Sequence, residues 1–367
     1  MRAQHEKTIC ILMPVHWTHA MGGAEYQIKC IIDLLKRSGQ YKVFVLTRHV
    51  NPSYKPNGYK IVKIRNLFGF SRGRYILDGP SLLNALRKIS PDVIYQRFGV
   101  AYTGFAAWYA RHYGSKFVWH VAHDDDVTPL SSHGVTKATG GGFVERKLIE
   151  YGIHNAHDII AQTTEQAQCL ERYYHRKPSA VLGNFHPIPT EHIEKSNPVN
   201  VVWVANIKPM KQPEIFLRLA EDIGVSRDVK FIMVGALSSS RWARGLKKEI
   251  DNAAHVSYLG RLTQDEVNQL LARSHILVNT SEREGFSNTF IQAWMRKMPV
   301  VSLTVNPNNL FEDQKIGLCS GDYQHLKNDV LMLIEDRERW GRMGSEAQQY
   351  AFEKHSEKEG KKLLAFL

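Results

Sequence analysis

His275-Ile-Leu-Val-Asn-Thr280 runs through Ser281 into Glu282-Arg-Glu-Gly-Phe-Ser-Asn-Thr-Phe-Ile-Gln-Ala-Trp294. The first part is apolar and too short for a stable helix, so it reads as a fully buried strand. The charged turn Glu282–Gly285 follows, with Gly285 able to supply a positive φ. Ser287 or Asn288 then caps a helix expected to run to about Lys297. Strand, polar turn and helix in that order form one unit of a parallel α/β sheet.

The same unit recurs on both sides of this stretch. In the first half the strand candidates are Ile9–Val15, Val43–Leu46, Tyr59–Ile64, Val93–Tyr95, Phe117–Val121, Asp158–Ala161 and Ala180–Leu182. Helical segments such as Glu25–Lys36 and Ser81–Lys88 lie between them. The pattern restarts at Val201–Ala205 and continues with Lys230–Val234, His255–Tyr258, Ile276–Val278 and Val300–Ser302. A chain of 367 residues exceeds one ordinary core. Asn184–Pro198 holds three prolines and a polar tail, and is the best linker. The expected fold class is therefore α/β, with two doubly wound Rossmann-like domains facing a cleft, residues 1–188 and 189–349. A basic-amphipathic tail follows, with Lys354, Lys358, Lys361 and Lys362 beside Leu363, Leu364 and Phe366. It is expected as a helix, about 350–367, packing back on the first domain. Ligands of such sheets bind beyond the carboxyl ends of the strands, which makes the cleft the expected site.

Bulk properties narrow the function. No apolar run approaches the roughly 18–20 residues that span a bilayer. Ile9–Val15 is too short for a signal peptide. Cys10, Cys30, Cys169 and Cys319 form no CxxC pair, which points to a reducing cytoplasm and no metal knuckle. Charge is unevenly divided. Residues 1–190 hold 24 Lys and Arg against 13 Asp and Glu, whereas residues 191–367 hold 24 against 23. Lys55, Lys60, Lys63, Arg65, Arg72, Arg74, Arg87 and Lys88 are accompanied by one acid, Asp78. Aromatics interleave these charges in Asn66–Tyr75. A solvated basic face explains such a surface, as does contact with an anionic membrane or a phosphorylated lipid, possible peripheral attachment included. No recognition helix, RRM, KH or zinc-finger signature accompanies the charge, so no nucleic-acid partner is expected.

The loop of the opening stretch has a chemistry of its own. Amides of Phe286, Ser287, Asn288 and Thr289 at a helix start suit phosphate. A carboxylate at Glu284 would repel that phosphate, and suits neutral hydroxyls a few ångströms further on. Gln292 could reach a second hydroxyl pair, such as that of a ribose. A diphosphate ending in a polyhydroxylated group meets all these demands, and a nucleotide sugar is such a ligand.

Glu284-Gly-Phe-Ser-Asn-Thr-Phe-Ile-Gln292 with Pro299-Val-Val301 resembles the donor-site signature of family-4 glycosyltransferases of group 1 type. Gly22-Gly-Ala-Glu25 resembles the family's glycine-rich first loop, His123-Asp124 its acceptor-side histidine motif, and Val204–Lys211 its basic donor motif. The resemblance covers most of the chain and implies the GT-B fold. It also implies a retaining hexosyltransferase-type enzyme that needs no bound metal and no permanent cofactor. A UDP- or GDP-sugar would be its donor, and a saccharide or lipid-linked molecule its acceptor. Gln292 stands where the family has a second glutamate. Asn206 stands where it has arginine, leaving Lys211 and Lys208 for the diphosphate. The implied catalytic set is Glu284, His123 and Lys211. The implied donor set is Asn206, Lys208, Lys211, Glu284, Gly285, Phe286, Ser287, Asn288, Thr289 and Gln292. Gly22, Gly23, His123 and Asp124 fall on the acceptor side.

Several of these residues carry plainer readings. Gly22-Gly23 also fits a simple turn, and lacks the G-x-G-x-x-G of a nicotinamide site. In His120–Asp126, His120 suits a buried strand end and the aspartates suit capping or solvation; no second cluster completes a metal site. Thr163 and Gln166 resemble family positions, and Thr163 also suits a helix cap. Lys211 could be an ordinary first-turn residue, although a cation there is unfavourable without an anion. Trp203 and Trp294 read as core. Cell-envelope polysaccharide assembly on the inner face of the cytoplasmic membrane fits the basic first half. A nucleotide-sugar epimerase and an inactive glycan- or lipid-binding homologue remain the competing functions.

Overall fold

The computed structural model describes residues 6–65, 75–128, 142–224 and 228–367. Arg72, Arg74 and most of the basic-aromatic segment at Asn66–Tyr75 therefore lie outside the described residues. The chain forms two compact units, one comprising Met1–Phe185 with Glu357–Leu367 and the other His186–Ser356.

Among the described residues the first unit is built on seven parallel strands: β1 (Lys7–Leu12), β2 (Tyr41–Thr47), β3 (Lys60–Lys63), β4 (Val93–Arg97), β5 (Lys116–His120), β6 (Asp158–Ala161) and β7 (Ala180–Val181). Their order is β3-β2-β1-β4-β5-β6-β7. β1 shows why this sheet is covered on both faces. Ile9 and Ile11 pack with Ile28, Ile31 and Leu35 of the helix Gly23–Ser38. Cys10 and Leu12 pack on the opposite side with Leu82, Leu86 and Trp119. An apolar run with side chains alternating between two buried faces is what a parallel sheet requires.

The second unit repeats the plan with β8 (Val199–Val204), β9 (Val229–Val234), β10 (Val256–Tyr258), β11 (Ile276–Asn279), β12 (Val300–Ser302) and β13 (Gly317–Cys319), in the order β10-β9-β8-β11-β12-β13. Val201 and Trp203 face one core and Val202 the other. Trp203 and Trp294 are both buried, 2% and 0% exposed, as core residues. In each sheet the strand order reverses beside the first strand, between β1 and β4 and between β8 and β11. Such reversal points leave a crevice beyond the carboxyl ends.

The tail departs from expectation. Helix Arg337–Lys354 belongs to the second unit, where Ala347 and Ala351 join its core. The returning segment is shorter, a single turn at Glu357–Gly360 and a 3-10 stretch at Lys361–Phe366. Leu363 and Leu367 enter the core of the first unit beside Phe185. A Cβ on Gly360 would sit 2.6 Å from the Phe185 ring, so this contact requires glycine.

Candidate active site

The reversal point of the second sheet is flanked by the loop after β8 and the loop after β11. The first ends in the 3-10 turn Pro209–Lys211, closed by Gln212 at φ 44°. The second is Thr280–Ser287. Trp203 Nε1 donates to Thr280 Oγ1 at 2.9 Å, and Thr280 Oγ1 donates to the Lys211 carbonyl at 2.6 Å. The Glu282 amide donates to the Met210 carbonyl at 3.0 Å. Gln212 Nε2 donates to Glu282 Oε1 at 3.3 Å. The two loops are thus tied before their charged side chains meet.

Those side chains, Lys211 and Glu284, form a direct ion pair with 14% and 13% of their surface exposed. Ser281 Oγ donates to Glu284 Oε1 at 2.8 Å, and Ser281 is itself held by both side-chain ends of Asn279. The sequence reading set the ammonium on a diphosphate and the carboxylate a few ångströms away. Here the two satisfy each other, because partly buried opposite charges gain by pairing.

The remaining donor-set residues divide into two groups. Asn206 and Lys208 are exposed on the loop after β8, and Asn288 and Thr289 are half-buried. Gly285, Phe286, Ser287 and Gln292 are buried. Gly285 does not adopt a left-handed backbone, which corrects the expected positive φ. The Phe286 ring packs 4.7 Å from His355 and 6.1 Å from Trp294, so its side chain anchors the loop. Ser287 occupies the cap position without a side-chain cap, and its hydroxyl meets Thr289 Oγ1 at 3.1 Å. The helix covers Asn288–Trp294 and stops short of Lys297, which turns left-handed at φ 57°. Gln292 is 4% exposed and donates to Asn268 Oδ1 at 2.8 Å instead of extending outward.

His186 carried no signal in the sequence. Its Nε2 lies 3.0 Å from Asn288 Oδ1, so Nε2 carries the proton, and burial pushes its pKa down to about 3. It fixes Asn288 from the segment previously read as linker. Asn268 does the same for Gln292.

In the first unit, Gly22 caps the helix Gly23–Ser38 in extended backbone, φ −122° and ψ −176°, so neither turn nor strain demands glycine there. A Cβ at Gly22 would meet only the flexible end of Glu25 at 2.6 Å. His120 is 3% exposed, with Nδ1 2.8 Å from the Tyr95 hydroxyl, and is a buried strand-end histidine. His123 lies three residues further on and is exposed. Asp126 braces this loop by accepting from the amides of Ala122 (3.1 Å), His123 (2.9 Å) and Gly99 (3.0 Å). Asp124 Oδ1 accepts from Gln166 Nε2 at 2.8 Å, while burial raises the Asp124 pKa. Thr163 Oγ1 accepts from the Gln166 amide at 3.1 Å and caps the helix Thr164–Tyr174. Among the described residues, no group of three or more His, Cys, Asp or Glu is arranged to hold a metal ion. No helix among them is long and apolar enough to cross a membrane.

Comparison with known proteins gives matches to both units. Residues 21–186 match the model described as Glycosyltransferase Family 4, and residues 198–336 match that described as Glycosyl transferases group 1. Over 156 residues the chain is 25% identical to the N-acetyl-alpha-D-glucosaminyl L-malate synthase of Bacillus anthracis, covering 42% of this chain and 40% of the relative. It is 23% identical over 226 residues to a D-inositol 3-phosphate glycosyltransferase of Rhodococcus opacus, covering 55% and 50%. The chain thus spans half or less of the length of these two relatives. An uncharacterized glycosyltransferase of Methanocaldococcus jannaschii aligns at 21% identity over 93% of both chains. Two solved structures share the fold with TM-scores of 0.76. One is sucrose-phosphate synthase of Thermosynechococcus elongatus, 13% identical and covered to 98% on both sides. The other is Anabaena HepE in complex with UDP and glucose, 18% identical, with 98% of this chain and 100% of that one covered.

Proposed function

Because the chain belongs to the group 1 glycosyltransferases and has their two-domain Rossmann-like architecture, we propose that it transfers a sugar from a nucleotide-sugar donor to a saccharide or lipid-linked acceptor. The observation that carries this reading is the Lys211–Glu284 pair at the reversal point of the second sheet. A cation there suits the diphosphate of a UDP- or GDP-sugar, and the adjacent carboxylate suits sugar hydroxyls. HepE was crystallised with UDP and glucose, which supports the UDP choice first.

On this reading Asn206, Lys208 and Lys211 meet the diphosphate together with the backbone amides of Phe286, Ser287, Asn288 and Thr289, and Glu284 meets the sugar hydroxyls. Gly22, Gly23, His123 and Asp124 serve the acceptor side. Transfer proceeds with retention by front-face attack. The acceptor oxygen bonds to the anomeric carbon as the bond to the diphosphate breaks, and the departing diphosphate takes the acceptor proton. Catalysis then comes from positioning and from charge placed where the leaving group develops it. No metal is needed in this scheme. Cell-envelope polysaccharide assembly at the cytoplasmic face of the membrane fits the excess of cations in residues 1–190.

The test is a thermal-shift panel of UDP-, GDP-, ADP- and CMP-sugars on wild type and Lys211→Ala. A donor at ~100 times its Kd should add about 2.7 kcal/mol of stability. One nucleotide class stabilising wild type and not the variant establishes the donor; no shift with any class refutes the reading. Product NMR then reports the anomeric configuration. Turnover of donor with no acceptor present would instead favour an epimerase.

A further inference from the structure

We propose that the first unit carries a phosphate-binding subsite, formed by Arg48, His49, Lys63 and Arg65 at the carboxyl ends of β2 and β3, which holds a phosphate group on the acceptor. This rests on the acceptor-side role given to the first unit above.

Thr47 pairs with Lys63 at the ends of the two strands, and the Ile64 amide donates to the Thr47 carbonyl at 2.8 Å. The residues that follow in each strand therefore emerge side by side. They line a cavity of about 490 Å³ whose walls are Arg48, His49, Lys63, Ile64 and Arg65. All but Ile64 carry a side-chain nitrogen. Ligands of doubly wound sheets bind at this end of the strands.

The cavity is more than a solvated basic face. Arg48 is 2% exposed, with its guanidinium 5.7 Å above the Tyr75 ring and Nη1 3.6 Å from Asp78 Oδ2. The same Asp78 oxygen accepts from the Tyr102 hydroxyl at 2.7 Å. Arg48 is thus held in one orientation before any ligand arrives. Lys63 and Arg65 are exposed, and neither makes an ion pair among the described residues. His49 stacks on His19 with ring centroids 5.3 Å apart. Its Nε2 is buried without a hydrogen-bond partner. A buried polar atom left unpaired is costly, and a phosphate oxygen would satisfy it. Planar and point cations together suit a tetrahedral anion, the guanidinium by its fork and the ammonium by its charge.

The experiment titrates the full chain with inorganic phosphate at constant ionic strength and follows 31P line broadening. Wild type and Lys211→Ala should both broaden the signal saturably, which separates this site from the donor loop. The double variant Lys63→Ala/Arg65→Ala should bind about tenfold more weakly, from two lost contacts between exposed cations and the anion. Its thermal transition should stay put, since both replaced side chains are exposed. Arg48→Gln gives a second reading from inside the cavity. Glycerol 3-phosphate and phosphatidylcholine vesicles containing phosphatidic acid identify the source of the phosphate. Competition of glycerol 3-phosphate with inorganic phosphate assigns a soluble acceptor, and vesicle retention lost in the double variant assigns a lipid headgroup. Equal broadening by wild type and double variant, or none by wild type, overturns the subsite. If nucleotide sugars still stabilise the protein in that case, the proposed function stands and the subsite alone falls.

Discussion

Replacing Glu284 with glutamine should tighten binding of a free nucleoside diphosphate while slowing sugar transfer. Lys211 and Glu284 are in direct contact and about one-seventh exposed, so an incoming diphosphate competes with the carboxylate for the ammonium. Opposite unit charges about 4 Å apart interact by about 4 kcal/mol at an effective dielectric near 20. Part of this survives as hydration of the freed lysine, leaving about 1.4–2 kcal/mol, or roughly 10–30-fold in affinity. The glutamine keeps an oxygen for the Ser281 hydroxyl, which lies 2.8 Å from Glu284 Oε1, so the loop should hold its shape. Transfer should fall by about a hundredfold, because no carboxylate remains to accept from the sugar hydroxyls as the transition state forms. Lys211→Met should do the opposite to diphosphate binding, weakening it by about tenfold. Isothermal titration of UDP and GDP on the three proteins, with transfer rates alongside, measures both effects. Diphosphate binding to Glu284→Gln that equals or falls below wild type would refute the competition between carboxylate and ligand.

Thr163→Ala should cost about 1 kcal/mol by urea denaturation, the usual loss for a helix cap, with transfer per folded molecule unchanged. A slower rate at full stability would move Thr163 from capping to the acceptor side. Acid should destabilise the protein through buried histidines. Burial lowers His16 and His275 from 6.5 to about 4 and His186 to about 3. The unfolded chain then binds more protons than the folded one below pH 6.5. The stability contributed by these neutral rings is complete above that value. It is lost toward pH 4 at up to about 1.4 kcal/mol per unit for each ring. Unfolding free energies at pH 7, 5.5 and 4.5 check this, and a flat profile would show that the folded chain protonates these rings as readily as the unfolded one.

Most strands were legible because a parallel sheet buried on both faces leaves apolar runs bounded by turns. β13 was missed, since Gly317–Cys319 is three residues long and opens with a residue that weakens strand signals. The reason for the glycine is spatial: a Cβ at Gly317 would stand 2.5 Å from the Val300 carbonyl of the neighbouring strand. β1 ends at Leu12, short of the expected Val15, because Pro14 cannot continue the ladder. In the site, residue types were readable while partners were not. Lys211 and Glu284 stand 73 positions apart, and no local pattern encodes their contact. His186 and Asn268 were equally invisible, being polar residues whose importance comes from the side chains brought to them. Gly285 misled for a simple reason: glycine permits a positive φ without requiring one.

The returning segment Glu357–Leu367 has a consequence for how the protein is made. Synthesis proceeds from the N-terminus, so the first unit emerges from the ribosome while a wall of its core, Leu363 and Leu367, is still untranslated. Closing a loop as long as residues 186–356 in a floppy chain costs on the order of 4–5 kcal/mol of entropy. The folded second unit removes most of that cost. It bridges His186 to Ser356, with the His186 amide 2.8 Å from the His355 carbonyl, and so delivers the tail next to Phe185. The later-made half thus acts as an assembly clamp for the earlier one. A lesion in the second unit should therefore appear first as a proteolytically open N-terminal half, even where every residue of that half is intact.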